Sequence, residues 1–134
     1  MISDRRLAVG VGSDVFVVVA FVAIGRRNHD EQPGLTGVLD TAAPFLIALA
    51  VAWLIVRAWR GPTTVVTGVA LWPVTVAAGM ILRRTVFDGG TAAAFVVVAT
   101  LFLGAGLVGW RLLWRAIERR REPAQASGGS LTAR

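Results

Sequence analysis

The amino-acid sequence predicts an all-α, polytopic membrane protein in which four transmembrane helices form one bundle. Hydrophobic residues make up 55% of the 134 residues, which leaves too little polar sequence to cover a water-soluble domain. The apolar residues concentrate in four runs. Each run is close to the ~20 residues that a helix needs to cross about 30 Å of hydrocarbon. Backbone N–H and C=O groups inside hydrocarbon must pair within their own segment, so the runs are predicted to be helices.

Each apolar run is bounded by residues that mark helix ends. Gly25 and a pair of arginines close the first run, and Asp40 or Thr41 can cap the second helix. A Gly-Pro turn precedes the third run, and an Asp-Gly-Gly turn precedes the fourth. The predicted helices cover about residues 7–25, 38–57, 63–83 and 91–113.

These helices are expected to form a single domain over residues 1–115, followed by a basic tail over residues 116–134. The tail loses the apolar pattern and is predicted to be disordered. Its arginines are expected to bind anionic lipid, with roughly 1 kcal/mol for each basic residue near the surface. Because this juxtamembrane role explains the basic charge, no nucleic-acid partner is expected.

The distribution of arginine predicts the orientation in the plasma membrane. Nine arginines flank the spans on the side that both termini share, against four on the opposite side. Short cytoplasmic segments carry the excess of basic residues in membrane proteins. Both termini are therefore predicted to be cytoplasmic, and the connections between helices one and two and between helices three and four are predicted to be extracytoplasmic.

One polar segment recurs along the chain. The pairs Arg26-Arg27 and Arg83-Arg84 each close a helix, and an Asp and then Thr-Ala-Ala-x-Phe follow each pair. This pattern favours a tandem repeat of two parallel helical hairpins over coincidence in an Ala- and Val-rich chain. Parallel repeats are related by an axis along the membrane normal. The two arginine pairs are therefore predicted to lie near each other on the outer side.

The outer helix ends carry the candidate binding residues. Guanidinium groups bind phosphate and carboxylate with two parallel hydrogen bonds. His29 is the only histidine, and an imidazole beside a carboxylate can shuttle protons near neutral pH. A solvated loop histidine is the alternative interpretation. The candidate binding residues are Arg26, Arg27, His29, Asp30, Asp40, Arg83, Arg84 and Asp88.

Composition argues against several kinds of site. The chain has no Cys, which excludes disulfides, thiol redox chemistry and Cys-based zinc sites. A single His makes a complete zinc or haem site within one chain unexpected. No second acid, base or ligand set accompanies His29. We therefore predict no catalytic residue, no metal site and no cofactor, and we expect a protein that is not an enzyme.

Asp14 is the one acidic residue predicted to lie within the hydrocarbon. It lies about 18 Å along the first helix from Arg26, at 1.5 Å per residue. An unpaired carboxylate at such a depth is costly, so a partner is expected. Arg57 and Arg111 lie about one helical turn closer to the cytoplasmic side. An ion pair between Asp14 and one of these arginines is the preferred interpretation, and proton coupling is the alternative.

Four short motifs, spread over residues 10–115, resemble those of one known family. They are Asp14-Val15-x-Val17, Phe21-x-x-Ile24-Gly25-Arg26-Arg27-x-His29, Pro44-Phe45 and Gly109-Trp110-Arg111. The family is catalogued as domain of unknown function 3054. The resemblance implies a small prokaryotic membrane protein with four spans, and it implies no activity.

Three hypotheses of function follow. The first is a protein that binds an anionic solute or lipid head group at the outer Arg/His/Asp cluster and acts as a small transporter or flippase component. It would be a homodimer, because four helices enclose little space. The second is a non-catalytic accessory subunit of a larger membrane complex. The third and least favoured is a membrane enzyme that acts on a lipid phosphate, with His29 as the base.

Overall fold

The computed structural model describes residues 3–28, 35–87 and 92–129. Within these ranges the regular structure is helical, and four helices each contain a stretch long and apolar enough to cross a membrane. The predicted all-α, four-span fold is confirmed. The helices are α1 (Asp4–Asn28), α2 (Leu35–Val56), α3 (Val65–Thr85) and α4 (Ala93–Gly129), with a short 3-10 helix at Ala58–Arg60.

The four helices form a closed ring, in which each helix packs against the next and α4 packs against α1. Neighbouring helices run antiparallel. At one end, Arg6 near the start of α1 forms an ion pair with Glu118 of α4, with an N–O distance of 2.7 Å. This end, called the terminal end, also contains the α2–α3 connection. The opposite end, called the loop end, contains the connections that follow α1 and α3.

Aromatic rings fill the half of the bundle nearest the loop end. Phe21 of α1 lies at their centre, with its ring centroid 5.7 Å from that of Phe45, 5.9 Å from that of Phe95 and 5.6 Å from that of Phe102. The Phe21 and Phe45 rings meet edge to face at 84°. These rings come from α1, α2 and α4, so they join three of the four helices. Buried Leu103 and Leu107 continue the core toward the terminal end.

Small residues allow the helices to approach closely. A Cβ atom on Gly68 of α3 would lie 2.8 Å from the carbonyl oxygen of Leu107 in α4. A Cβ atom on Gly106 of α4 would contact Val17 of α1. Other close approaches bring aromatic rings against helix backbone, namely Phe45 against Gly79 and Trp72 against Gly104.

The α2–α3 connection is built from local hydrogen bonds. Arg57 adopts a left-handed conformation with φ of 56°, which ends α2. The backbone N–H of Thr67 donates to the side chain of Thr64, which caps α3, and the Thr67 hydroxyl donates to the Gly61 carbonyl at 2.7 Å. This connection brings Pro62 into the bundle interior, where it is buried.

Helix α2 begins earlier than the sequence predicts. It starts at Leu35, so Asp40 and Thr41 lie within the helix and do not cap it. The Thr41 hydroxyl donates to the carbonyl of Gly37, four residues earlier, at 3.0 Å. A threonine within a helix can form this hydrogen bond to the backbone of the preceding turn. The cap prediction is therefore wrong, because the helix continues beyond the apolar run that guided it.

The structure also corrects the prediction for the tail, because α4 continues without interruption through residues 116–129. Loss of the apolar pattern removed the signal for a membrane span but not the signal for a helix. Glu, Arg, Ala and Gln are strong helix formers. A helix that has already formed in the membrane adds one hydrogen bond with each further residue other than Pro123, without a new nucleation step. Residues 130–134 lie outside the described ranges.

Replacing Gly68 with Ala is expected to lower the thermal unfolding temperature in detergent. The new Cβ atom would lie 2.8 Å from the Leu107 carbonyl oxygen and 2.9 Å from Cδ of Arg111, so α3 must move away from α4. The higher helix propensity of Ala, worth about 0.5–1 kcal/mol, offsets only part of this loss. The matched control is Gly109→Ala on α4, where a Cβ atom would have no atom within 4 Å. Equal effects of the two changes would contradict the proposed close contact.

Candidate functional site

A cavity of about 340 Å³ lies at the loop end of the bundle. Arg26 of α1 and Arg83 of α3 both line it, together with Thr41 of α2. Its volume falls within the roughly 300–1,000 Å³ that is typical of small-molecule sites. The remaining described residues that line it are apolar or Gly: Phe21, Val22, Gly25, Ala92, Ala94, Phe95 and Val98.

Contacts with α2 hold Arg26 in place. Its Nη1 atom donates a hydrogen bond of 3.0 Å to the hydroxyl of Thr41, which in turn donates to the Gly37 carbonyl. The guanidinium also lies against the backbone of Gly37, where a Cβ atom would collide with it. Gly37 and Thr41 therefore position Arg26 at the cavity.

An aromatic ring positions Arg83. Its guanidinium carbon lies 4.4 Å from the ring centroid of Phe95 in α4, which is a cation–π contact. Phe95 lines the same cavity and packs against Phe21. The ends of α1 and α3 thus each bring one guanidinium to the cavity, and each guanidinium is oriented by a neighbouring helix.

The structure brings together part of the predicted outer cluster. Arg26 and Arg83 share the cavity, as the repeat suggested. Asp40 and Arg84 are exposed and do not belong to the described lining. Three further candidates, His29, Asp30 and Asp88, lie outside the described residues, as does the side chain of Arg27.

The described residues also bear on the predicted repeat and on metal binding. The repeat-equivalent rings of Phe45 and Phe95 lie 6.1 Å apart in the core. The tandem repeat itself stays a prediction. In the described ranges, no group of three or more His, Asp or Glu residues is placed to hold a metal ion.

A second polar cluster lies inside the bundle, toward the terminal end. Asp14 of α1 and Arg111 of α4 are both 0% exposed. The Nη1 atom of Arg111 donates to Oδ1 of Asp14 and its Nη2 atom donates to Oδ2, each at 2.8 Å. This is the two-pronged geometry that arginine forms with a carboxylate. Of the two arginines expected as partners, the structure selects Arg111, whereas Arg57 is exposed.

Two indoles complete the environment of the carboxylate. Nε1 of Trp110 donates to Oδ1 of Asp14 at 2.9 Å, and Nε1 of Trp53 donates to Oδ2 at 3.0 Å. Asp14 therefore accepts four hydrogen bonds, which matches the roughly four lone-pair sites of a carboxylate. This saturation favours the structural ion pair over proton coupling, because an added proton would displace a donor.

The guanidinium of Arg111 has backbone partners as well. Its Nε atom donates to the Pro62 carbonyl at 3.0 Å, and its Nη1 atom also donates to the Leu107 carbonyl at 2.8 Å. Its central carbon lies 4.4 Å from the ring centroid of Trp110. Through these contacts one ion pair joins α1, α2, α4 and the α2–α3 connection. We call Asp14, Arg111, Trp53 and Trp110 the buried ionic cluster.

Sequence reasoning missed four of the participants in these two sites. The sequence places Thr41 at a helix cap, and it marks Phe95 only as part of the repeat and Trp110 only as part of the Gly109-Trp110-Arg111 motif. It does not link Trp53 to Asp14. A signal for the indoles was present, because Trp is a donor that needs a partner when buried. Asp14 required several such donors inside hydrocarbon. Nothing in the spacing indicated which side chains would reach it.

The fold and the two sites define the class of this protein: it is an integral membrane protein with four spans. It has an arginine-lined cavity at one end and a saturated ionic cluster within the bundle. The family described as "Protein of unknown function (DUF3054)" matches residues 11–114. The chain belongs to this family, which confirms the resemblance seen in its motifs. Comparisons with curated proteins and with solved structures gave no match.

Replacing Asp14 with Asn is expected to lower the free energy of unfolding by about 3–5 kcal/mol, the usual cost of leaving one partner of a buried ion pair uncompensated. Unfolding in mixed micelles, followed by circular dichroism, measures this change. Asp40→Asn is the matched control, since Asp40 is exposed and its change is expected to cost at most about 0.5 kcal/mol. Replacing Asp14 and Arg111 together by Leu should restore part of the loss. Similar stability of the two Asn variants would show that the pair does not stabilise the bundle.

Proposed function

We propose that this protein is not an enzyme and that it binds an anionic solute or lipid head group at the loop-end cavity. The observation that supports this most strongly is the meeting of Arg26 and Arg83, from two different helices, at one cavity. No acidic residue belongs to the described part of the lining. Two guanidiniums, one of them oriented by the Thr41 hydroxyl, form a site suited to phosphate or carboxylate.

The surroundings of the two arginines favour anion binding in two ways. The described walls are mostly apolar, and charges attract more strongly beside surroundings of low dielectric constant than in bulk water. Thr41 orients Arg26, and the Phe95 ring orients Arg83. Side chains that are already ordered lose less conformational freedom when a ligand binds, so more of the interaction energy appears as affinity.

The proposed role is that of a small transporter or flippase component. Below the cavity, the bundle axis is filled by the Phe21 cluster, by Leu103 and Leu107, and then by the buried ionic cluster. A ligand cannot follow this axis through the described part of a single chain. A path across the membrane would therefore run along the outside of the bundle, between two copies in a homodimer.

The filled interior also supports a second candidate function, that of a non-catalytic accessory subunit in a larger membrane complex. A chain without an axial path would contribute a binding surface while another subunit supplies the activity. Purification in mild detergent separates the two candidates. A stoichiometric partner protein supports the accessory role, and a chain that purifies alone supports the first function.

We further propose that the protein lies in the plasma membrane with the loop end outside and both termini in the cytoplasm. The excess of flanking arginines at the terminal end supports this orientation. The exposed arginines Arg115, Arg119, Arg120 and Arg121 of α4 would then face the anionic lipids of the cytoplasmic leaflet.

Because the chain has no Cys, single-cysteine variants can test this orientation without background. Val86→Cys at the loop end and Ser3→Cys at the terminal end both replace exposed residues. A maleimide that does not cross membranes is expected to label Val86→Cys in intact cells and to label Ser3→Cys only after lysis. The reverse pattern would show that the loop end is cytoplasmic.

The anion site predicts that inorganic phosphate raises the thermal unfolding temperature of the purified protein. Arg26→Gln and Arg83→Gln should each raise the phosphate concentration that gives half-maximal stabilisation at least tenfold. The reason is that a hydrogen bond to a charged group contributes about 1.5–3 kcal/mol. Chloride at matched ionic strength controls for screening.

Arg84→Gln is the matched control for Arg83→Gln, because Arg84 is adjacent but lies outside the described lining of the cavity. Its response to phosphate should equal that of the unmodified protein. If phosphate still stabilises the double variant Arg26→Gln/Arg83→Gln, the proposed site is wrong.

A further inference from the structure

We infer that the ligand of the loop-end cavity is an anionic amphiphile, whose charged head lies between Arg26 and Arg83 and whose hydrocarbon tail lies on the surface between α1 and α4. This inference rests on the anion site proposed above and specifies the chemical class of the ligand. The polarity of the cavity, its exposure to lipid and a neighbouring cavity all support such a ligand.

Polarity changes with depth in the cavity. Arg26 lies near the loop end of α1, whereas Phe21 and Val22 lie four to five residues further into the bundle, about 6–7.5 Å deeper. Val98 lines a similarly deep part of the α4 wall. A small hydrated anion would use only the mouth of this cavity. An amphiphile would place its charge at the mouth and its first methylenes against the apolar wall.

The cavity also opens toward the lipid. Val98 lines the cavity although it is 54% exposed on the apolar outer surface of α4, and Ala94, one turn earlier, is exposed as well. The α4 wall therefore belongs to the surface that faces hydrocarbon. A ligand already dissolved in the bilayer can reach the arginines from the side, with its tail remaining in an apolar environment.

A second cavity, of about 420 Å³, lies on the same α1–α4 surface nearer the terminal end. Gly12 and Phe16 of α1 and Ala105 and Gly106 of α4 line it. Gly12 lies about 21 Å from Arg26 along α1, compared with about 15 Å for half of the hydrocarbon thickness. The surface between α1 and α4 thus has one recess at the loop end and a second about 13.5–21 Å from Arg26 along α1, near the depth at which one leaflet ends.

The test compares three probes on protein in nanodiscs of zwitterionic lipid, with unfolding followed by circular dichroism. The probes are inorganic phosphate, dodecyl phosphate and dodecyl maltoside. Inorganic phosphate has the charged group of dodecyl phosphate without the tail, and dodecyl maltoside has the tail without the charge. Dodecyl phosphate is expected to reach half-maximal stabilisation at a concentration at least tenfold lower than inorganic phosphate. Dodecyl maltoside should not stabilise. Phosphatidic acid in the disc tests a bilayer lipid as the natural source of the same chemistry.

Partition into the disc would by itself concentrate dodecyl phosphate, so a pair of variants isolates the contribution of the cavity. The Trp side chain in Val98→Trp would occupy the part of the cavity beside α4. Val97→Trp is its matched control, because Val97 is adjacent, 56% exposed and outside the described lining. Val98→Trp should remove the advantage of dodecyl phosphate over inorganic phosphate, and Val97→Trp should keep it. Ala94→Phe, with Ala93→Phe as its control, provides a second pair if Val98→Trp does not fold.

The outcomes separate the two proposals. Equal half-maximal concentrations of inorganic and dodecyl phosphate in the unmodified protein would overturn the amphiphile and leave the anion site intact. Stabilisation by neither phosphate would overturn both. An advantage of dodecyl phosphate that survives in both Val98→Trp and Ala94→Phe would show that the tail does not lie on the α1–α4 surface.

Discussion

The bidentate pair between Asp14 and Arg111 is the interaction on which the rest of the bundle depends. A carboxylate within hydrocarbon is tolerated only with a partner of opposite charge and with its remaining lone pairs satisfied. Two indoles, from α2 and α4, donate hydrogen bonds to the carboxylate and so satisfy its remaining lone pairs. The guanidinium in turn donates to the Pro62 carbonyl of the α2–α3 connection. Satisfying one charge therefore sets the relative positions of α1, α2 and α4. It also draws the α2–α3 connection into the interior.

Arginine occupies two different environments in this protein. Arg111 is fully buried with its donors committed to Asp14 and to backbone carbonyls, so it contributes structure. Arg26 and Arg83 lie at helix ends beside a cavity, oriented by a hydroxyl and by an aromatic ring. The buried ionic cluster lies toward the terminal end of the bundle, and the cavity beside Arg26 and Arg83 lies at the loop end. The packed Phe21 cluster separates the two levels.

Much of the fold was predictable, because the membrane imposes a simple rule on the chain. A run of about 20 apolar residues must be helical when it crosses hydrocarbon, whatever its neighbours are. That rule predicted four helices, and it failed where it no longer applied. It predicts a cap at Thr41 and a disordered tail over residues 116–129, because both lie at or beyond the end of an apolar run, whereas the helix continues there. Hydropathy marks the membrane boundary, whereas helix ends depend on propensity and local hydrogen bonds.

The sequence by itself determined the class, the number of helices, the family and the need of Asp14 for a partner, since each depends on residue type or on distance along one helix. Only the tertiary structure decided that Arg111, and not Arg57, is that partner, and that Trp53 and Trp110 complete it. The meeting of Arg26 with Arg83 was suggested by the repeat, but Thr41 and Phe95 beside them appeared only in the folded bundle. The reason is geometric. Which faces of neighbouring helices meet depends on their rotation and close approach, and several small residues together determine these.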